Sequence, residues 1–151
     1  MLFKPQDPEY GTRVRGSFAR QNAMHTLGVE LAHVAPGEIE LRLPFSDRYT
    51  QQHGFMHAGI IAAALDSACG YAAFSLMPAD AAVLSVEFKV NLLAAAQGDS
   101  FAFRARVIKA GRTLSVCDAS AFAISENGVE RLIATMTGTI MTIVGRKNIK
   151  Q

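Results

Sequence analysis

His57–Ser75 reads HAGIIAAALDSACGYAAFS, and its only formal charge is Asp66. No proline interrupts the stretch and Pro78 follows it, so it is expected to form one helix ending before that proline. Apolar residues occupy most of its circumference rather than one stripe, so most of its circumference must be covered. Ala62, Ala63, Ala64, Ala68, Gly70, Ala72 and Ala73 keep its surface small enough for a sheet backbone to come close. A strongly curved sheet wrapped around the helix meets both conditions. A single carboxylate inside such a helix then needs a reason, because burying an unpaired charge is costly.

The flanking sequence supplies the sheet. Upstream, VELAHVA (29–35) and GEIELRLPF (37–45) alternate and meet at Pro36-Gly37, which reads as a hairpin. Downstream come four strand candidates, AVLSVEFKVNLL (82–93), DSFAFRARVIKA (99–110), TLSVCDASAFAI (113–124) and RLIATMTGTIMTIV (131–144). Their joints AQGD, AGR and SENG are ordinary turn chemistry. In LSVEFKVN the alternation is strict, with Val86, Phe88 and Val90 on one face and Ser85, Glu87, Lys89 and Asn91 on the other. SFARQNAMHTLG (17–28) is expected to be a short helix capped by Ser17 and stopped by Gly28. Residues 1–16, with two prolines and two glycines, are expected to be loosely ordered, leaving 17–151 as a single domain. Helix, hairpin, long helix and four-strand meander together indicate an α+β fold.

Composition narrows the function classes. Of the 151 residues 50% are hydrophobic and 19% charged, which suffices for one real core. A net charge of +2 is too small for a general nucleic-acid binder. Cys69 and Cys117 have no CxxC or Cys/His spacing, so free buried thiols in a reducing cytoplasm are expected. Pro5 and Pro8 break any signal-peptide pattern, and no apolar run approaches a membrane span. His53 and His57 lie four apart, but a loop setting without a third ligand argues against a metal site.

Gln51, Gly54, His57, Ala58 and Gly59 form the pattern Q-x-x-G-x-x-H-A-G, with Asp66 nine residues after His57. On these residues, and on SVEFKVNLL (85–93) and GRTLSV (111–116), the sequence resembles the PaaI-like acyl-CoA thioesterases of the hotdog-fold superfamily. The resemblance covers roughly residues 24–143 and departs at Ala58, where the family usually has glycine. It implies a hotdog fold: an antiparallel curved sheet around one long central helix, with a short N-terminal helix. It implies hydrolysis of an acyl-CoA to a free acid and CoA, with CoA entering as part of the substrate and no separate cofactor or metal. It implies a homodimer or a dimer of dimers with shared active sites. Ser85 matches the position whose hydroxyl supports the aspartate or its water. Lys109, Gly111, Arg112 and Thr113, in the KAGRTL turn, match the region of the pantetheine and nucleotide contacts.

The residues also carry a physical reading of their own. The start of a helix offers free backbone N–H groups and the positive end of its dipole, a setting for a carbonyl oxygen gaining negative charge. Ala58 and Gly59 supply such groups, and the Gln51 amide can donate to the same oxygen. Asp66 can attack the carbonyl or activate a water; the sequence leaves both open. His57 at the helix start favours an imidazole that orients the loop over one that acts as a base. Strand parity turns Ser85 away from the core, so the strand must bulge there or Ser85 must face the site at the sheet's edge. From Ala58 to Asp66 is roughly 12 Å along the axis, at 1.5 Å per residue. One carbonyl cannot reach both, so a shared site needs two chains with antiparallel helices. An acyl pocket is expected from Phe55, Met56, Ile60, Phe74 and Leu93. The alternatives are a non-catalytic acyl-CoA-binding module and a hotdog enoyl or hydroxyacyl thioester dehydratase, whose histidine–carboxylate pairing fits less well.

Overall fold

In the computed structural model, which describes residues 3–151, six strands form one sheet in the order β1-β2-β4-β5-β6-β3, with every neighbouring pair antiparallel. The elements are α1 (Tyr10–Ala19), α2 (Asn22–Leu27), β1 (Glu30–Ala35), β2 (Glu38–Pro44), α3 (Ala58–Phe74), β3 (Ala82–Leu92), β4 (Ser100–Ala110), β5 (Leu114–Ile124) and β6 (Glu130–Ile143). This is the hotdog arrangement: α3 lies in the sheet's concavity and packs against β2, β3, β4, β5 and β6. Ala64, Leu65, Ala68, Cys69, Ala72 and Ala73 of α3 are wholly buried, as a helix clad by a close sheet requires. Register shifts in β1, β3, β4 and β6 supply the bending, since each extra residue kinks its strand and increases its twist. Among the described residues no helix is long and apolar enough to cross a membrane.

The N-terminal segment departs from expectation. Residues 3–16 are not a loose tail, because α1 begins at Tyr10; Met1 and Leu2, also expected to be loosely ordered, lie outside the described residues. Ser17 is not a cap but a buried residue inside α1, its hydroxyl 3.1 Å from the Tyr71 hydroxyl. The expected helix is split, and Gly28, at φ 79°, stops only the second part. The cause is tertiary. Arg13 donates to the carbonyls of Met77 and Pro78 at 2.7 Å and of Phe74 at 3.3 Å, and its Nε lies 2.9 Å from Asp7 Oδ2. A cation on Phe74 O, the last carbonyl of α3, and on the Met77 and Pro78 carbonyls just beyond satisfies groups the helix cannot pair itself and complements its dipole. These contacts hold α1 in place despite the neighbouring prolines and glycines.

Candidate active site

The loop before α3 is fixed by its own backbone. Gln51 N–H donates to Phe55 O at 2.9 Å and Gly54 N–H to Gln51 O at 3.0 Å. Gly54 holds φ 83°, a left-handed value that makes glycine the natural choice there. Met56 and His57 N–H groups tie the loop to Ala96 O and Tyr49 O, both at 2.9 Å. The Gln51 side-chain carbonyl accepts from His53 N–H, which leaves the amide NH2 without a partner among the described residues.

His57 caps α3, its Nδ1 accepting from Gly59 N–H at 2.8 Å. Ile60 and Ile61 N–H groups donate to His57 O at 3.0 and 3.3 Å. Of the four N–H groups that open α3, only Ala58 N–H therefore lacks a partner among the described residues. This differs from the expectation for Gly59, whose N–H is engaged by the imidazole rather than open to a carbonyl. Glycine still matters there, since a Cβ would stand 3.1 Å from Nδ1.

The open N–H faces a cleft of about 590 Å³ lined by Gln51, Phe55, Met56, Ile61, Leu92 and Leu93, among others, with no charged side chain. Phe74 does not belong to it: it is 1% exposed and sits at the far end of α3, its ring under the Arg13 guanidinium. Ile60 is half-buried and does not line it either.

Asp66 is half-buried, two turns on. Its Oδ1 accepts from the Ser85 hydroxyl at 2.6 Å. The parity conflict is resolved by a bulge. Ser85 pairs with Ile140 and Glu87 with Thr139, so Val86 is the extra residue. Directly paired residues share a face. Ser85 opposite the buried Ile140, and Phe88 opposite the buried Gly138, thus both look toward α3.

On α3, Gly59, Ala62, Ala63 and Asp66 remain exposed or half-buried while the helix beyond them is buried. They lie on one face by helical spacing, a strip that the chain's own sheet leaves uncovered. β3, the sheet's edge on this side, exposes Leu84, Val86, Phe88 and Leu92, each by more than two fifths.

The β4–β5 turn lies elsewhere. Gly111 is dictated by the turn itself, since a Cβ would stand 2.3 Å from Leu114 O. Thr113 O accepts from Thr142 N–H at 2.8 Å. Lys109 and Arg112 are exposed and form no ion pair among the described residues. Gly111 and Arg112 border a small cleft with Ala73, Leu76 and Pro78, at the end of α3 opposite Ala58. One chain thus separates three groups: Gln51, His57, Ala58 and Gly59 at the helix start, Asp66 and Ser85 at its middle, Gly111 and Arg112 at its end. Cys69 and Cys117 are free and buried, and the neighbouring Cys117 thiol, then burial, push the Cys69 thiol up, away from a reactive thiolate.

Comparison with known proteins agrees with this architecture. A thioesterase superfamily model matches residues 53–129, which take in Gly54 to Asp66 of the motif and the β4–β5 turn but not Gln51. A solved thioesterase family protein from Silicibacter pomeroyi is 58% identical, covering 90% of this chain and 99% of that one, with a TM-score of 0.88. The PaaI protein of E. coli, from the phenylacetic acid degradation operon, shares the fold at a TM-score of 0.80 and 17% identity, over 91% of this chain and 95% of that one. A candidate esterase of Halobacterium salinarum is 34% identical over 62% of this chain, and that match spans 65% of the relative's length. The chain belongs to the thioesterase superfamily, with the hotdog fold of its PaaI-like members.

Proposed function

We propose that this thioester hydrolase acts on acyl-CoA, in a site built from two copies of the chain. The observation that carries the proposal is the pairing of one open donor, Ala58 N–H, with a carboxylate eight residues along the same helix, Asp66, held by Ser85. Roughly 12 Å of helix separates them, too far for one carbonyl. A two-fold axis beside the uncovered strip of α3 sets each Ala58 near the other chain's Asp66. The thioester oxygen then accepts from Ala58 N–H and the unpaired Gln51 amide of one chain, while the acyl group enters that chain's uncharged cleft. Asp66 of the other chain takes a proton from a water that adds to the carbonyl, or adds to it directly and is released by water. Either route ends with the C–S bond broken, the acid formed and the thiolate protonated as CoA. Lys109 and Arg112 are suited to contacts with the CoA phosphates, and Gly111 and Thr113 to shaping their turn. His57 Nδ1 accepts from Gly59 N–H, so a neutral imidazole carries its proton on Nε2 and has no basic nitrogen left for the substrate carbons, which weighs against a dehydratase.

The test is Asp66→Asn, which keeps the shape and removes the charge. Thiol release from a panel of aryl and aliphatic acyl-CoAs should fall in kcat on the order of a hundredfold or more, with binding retained. An unchanged kcat would sink the catalytic role, and a wild-type protein that binds acyl-CoA without releasing thiol would favour the binding-module alternative.

A further inference from the structure

The segment that follows β6, Gly145–Gln151, takes no part in the site just described, yet it is built into the fold. The Gln151 side-chain carbonyl accepts from Val83 N–H at 2.9 Å, and the Gln151 backbone carbonyl accepts from Arg20 at 2.8 Å. A turn closes at Ile149 N–H to Arg146 O, 3.2 Å. Between this segment and Ala79–Ala82 lies a cleft of about 520 Å³, which also reaches Phe74 and Arg13. Arg146, Lys147 and Lys150 line it, are exposed, and form no ion pair among the described residues. Among the described residues Asp80 is the only carboxylate side chain that lines it, and Arg13 is occupied by Asp7 and by the Phe74, Met77 and Pro78 carbonyls. The cleft therefore gathers three unpaired cationic side chains against a single carboxylate, an excess of positive charge. It adjoins the Arg112 cleft, which ends at Val144, the residue before Gly145.

We propose that this cleft holds the phosphates of the coenzyme A nucleotide, so that the segment after β6 distinguishes CoA from shorter thiols. The proposal rests on the acyl-CoA reading above and adds a site to it. Two paths give similar separations from the Asp66–Ser85 pair. Along α3, Phe74 lies eight residues beyond Asp66, roughly 12 Å. Along β3, Ala82 lies three residues before Ser85, roughly 10 Å. An extended pantetheine arm covers either distance between the thioester sulfur and the first phosphate. In the two-chain site the directions also agree: the acyl group points into the cleft at one chain's helix start, and the nucleotide runs toward the other chain's helix end. Lys147 and Lys150 act as point charges there, and Arg146 offers a fork for phosphate oxygens.

The test uses the whole chain and three probes, free CoA, dephospho-CoA and pantetheine, titrated calorimetrically at two salt concentrations. The triple variant Arg146→Gln, Lys147→Gln, Lys150→Gln should bind CoA about tenfold or more weakly at low salt, with a flatter salt dependence and unchanged pantetheine binding. Asp80→Asn, with the cations in place, should bind CoA more tightly than wild type. CoA affinity equal in the triple variant and the wild type overturns the cleft while leaving the acyl-CoA reading intact. So does a loss confined to Arg112→Ala, which puts the phosphates on the turn. A wild type that binds CoA no better than pantetheine overturns both.

Discussion

Asp66 is legible as an anomaly, the one charge in a helix that must be buried, and its neighbourhood makes it tolerable. A carboxylate accepting from Ser85 at 2.6 Å on the uncovered strip is neither unpaired nor fully desolvated. What the sequence could not carry at this scale is the division of donors at the helix start. HAG offers two equivalent backbone N–H groups, and only the ring orientation of His57 assigns Gly59 N–H to the cap and leaves Ala58 N–H open. On the proposed reading, the Ser85–Asp66 hydrogen bond makes Ser85 a positioning residue, which yields an expectation. Ser85→Ala should lower kcat about tenfold, the scale of one hydrogen bond to a charged group, and leave KM for acyl-CoA near the wild-type value. Ser85→Thr should restore most of the loss, because it returns the hydroxyl. A rise in KM with kcat intact, or no rescue by threonine, would mean that Ser85 shapes binding instead.

Elements were legible where local pattern decides them and illegible where a distant partner does. Hairpin, long helix and meander follow from alternation, turn residues and an all-round apolar helix. The bulge at Val86 has no local signal, since LSVEFKVN alternates without a break. It is the curvature around α3 that inserts the extra residue and turns Ser85 inward. The N-terminal helix is the second case. Its prolines and glycines argue for loose chain, and the contacts that override them reach from Arg13 to carbonyls more than sixty residues away. The run GRKNIK (145–150) carries no motif of its own, and only the fold sets its cations around a cleft. Because Asp7 and Arg13 are mostly buried, removing the cation leaves the Asp7 carboxylate without its counterion and the Phe74, Met77 and Pro78 carbonyls without their donor. Arg13→Ala should therefore destabilise the chain by about 3 kcal/mol, typical of breaking a buried pair from one side. Urea unfolding with an unchanged m-value would register it as a lower midpoint. A shift near zero would show that α1 is held by its apolar face alone.

At the scale of the whole molecule, one chain looks unfinished. β3 is a long sheet edge exposing Leu84, Val86, Phe88 and Leu92, the kind of edge that proteins cover or blunt. Beside it lies the strip of α3 that carries Asp66, and both are explained if a second copy packs there about a two-fold axis. Complementation tests this without any structure of the assembly. Asp66→Asn removes the acid, and Gln51→Ala removes the side-chain donor to the carbonyl. If each site takes Asp66 from one chain and Gln51 with Ala58 N–H from the other, a mixed dimer holds one site with both lesions and one with neither. Random exchange makes half of the dimers mixed, so combining the two weak variants should recover up to about a quarter of wild-type activity. If both groups came from the same chain, every site would keep one lesion and mixing would recover nothing. Exchange must be demonstrated independently, for example with one variant carrying a mass tag. Activity that stays at the mean of the two variants after proven exchange refutes the shared site. The helix rise between Ala58 and Asp66 makes that outcome hard to build, because a single carbonyl would have to bridge roughly two turns of the helix that holds both groups.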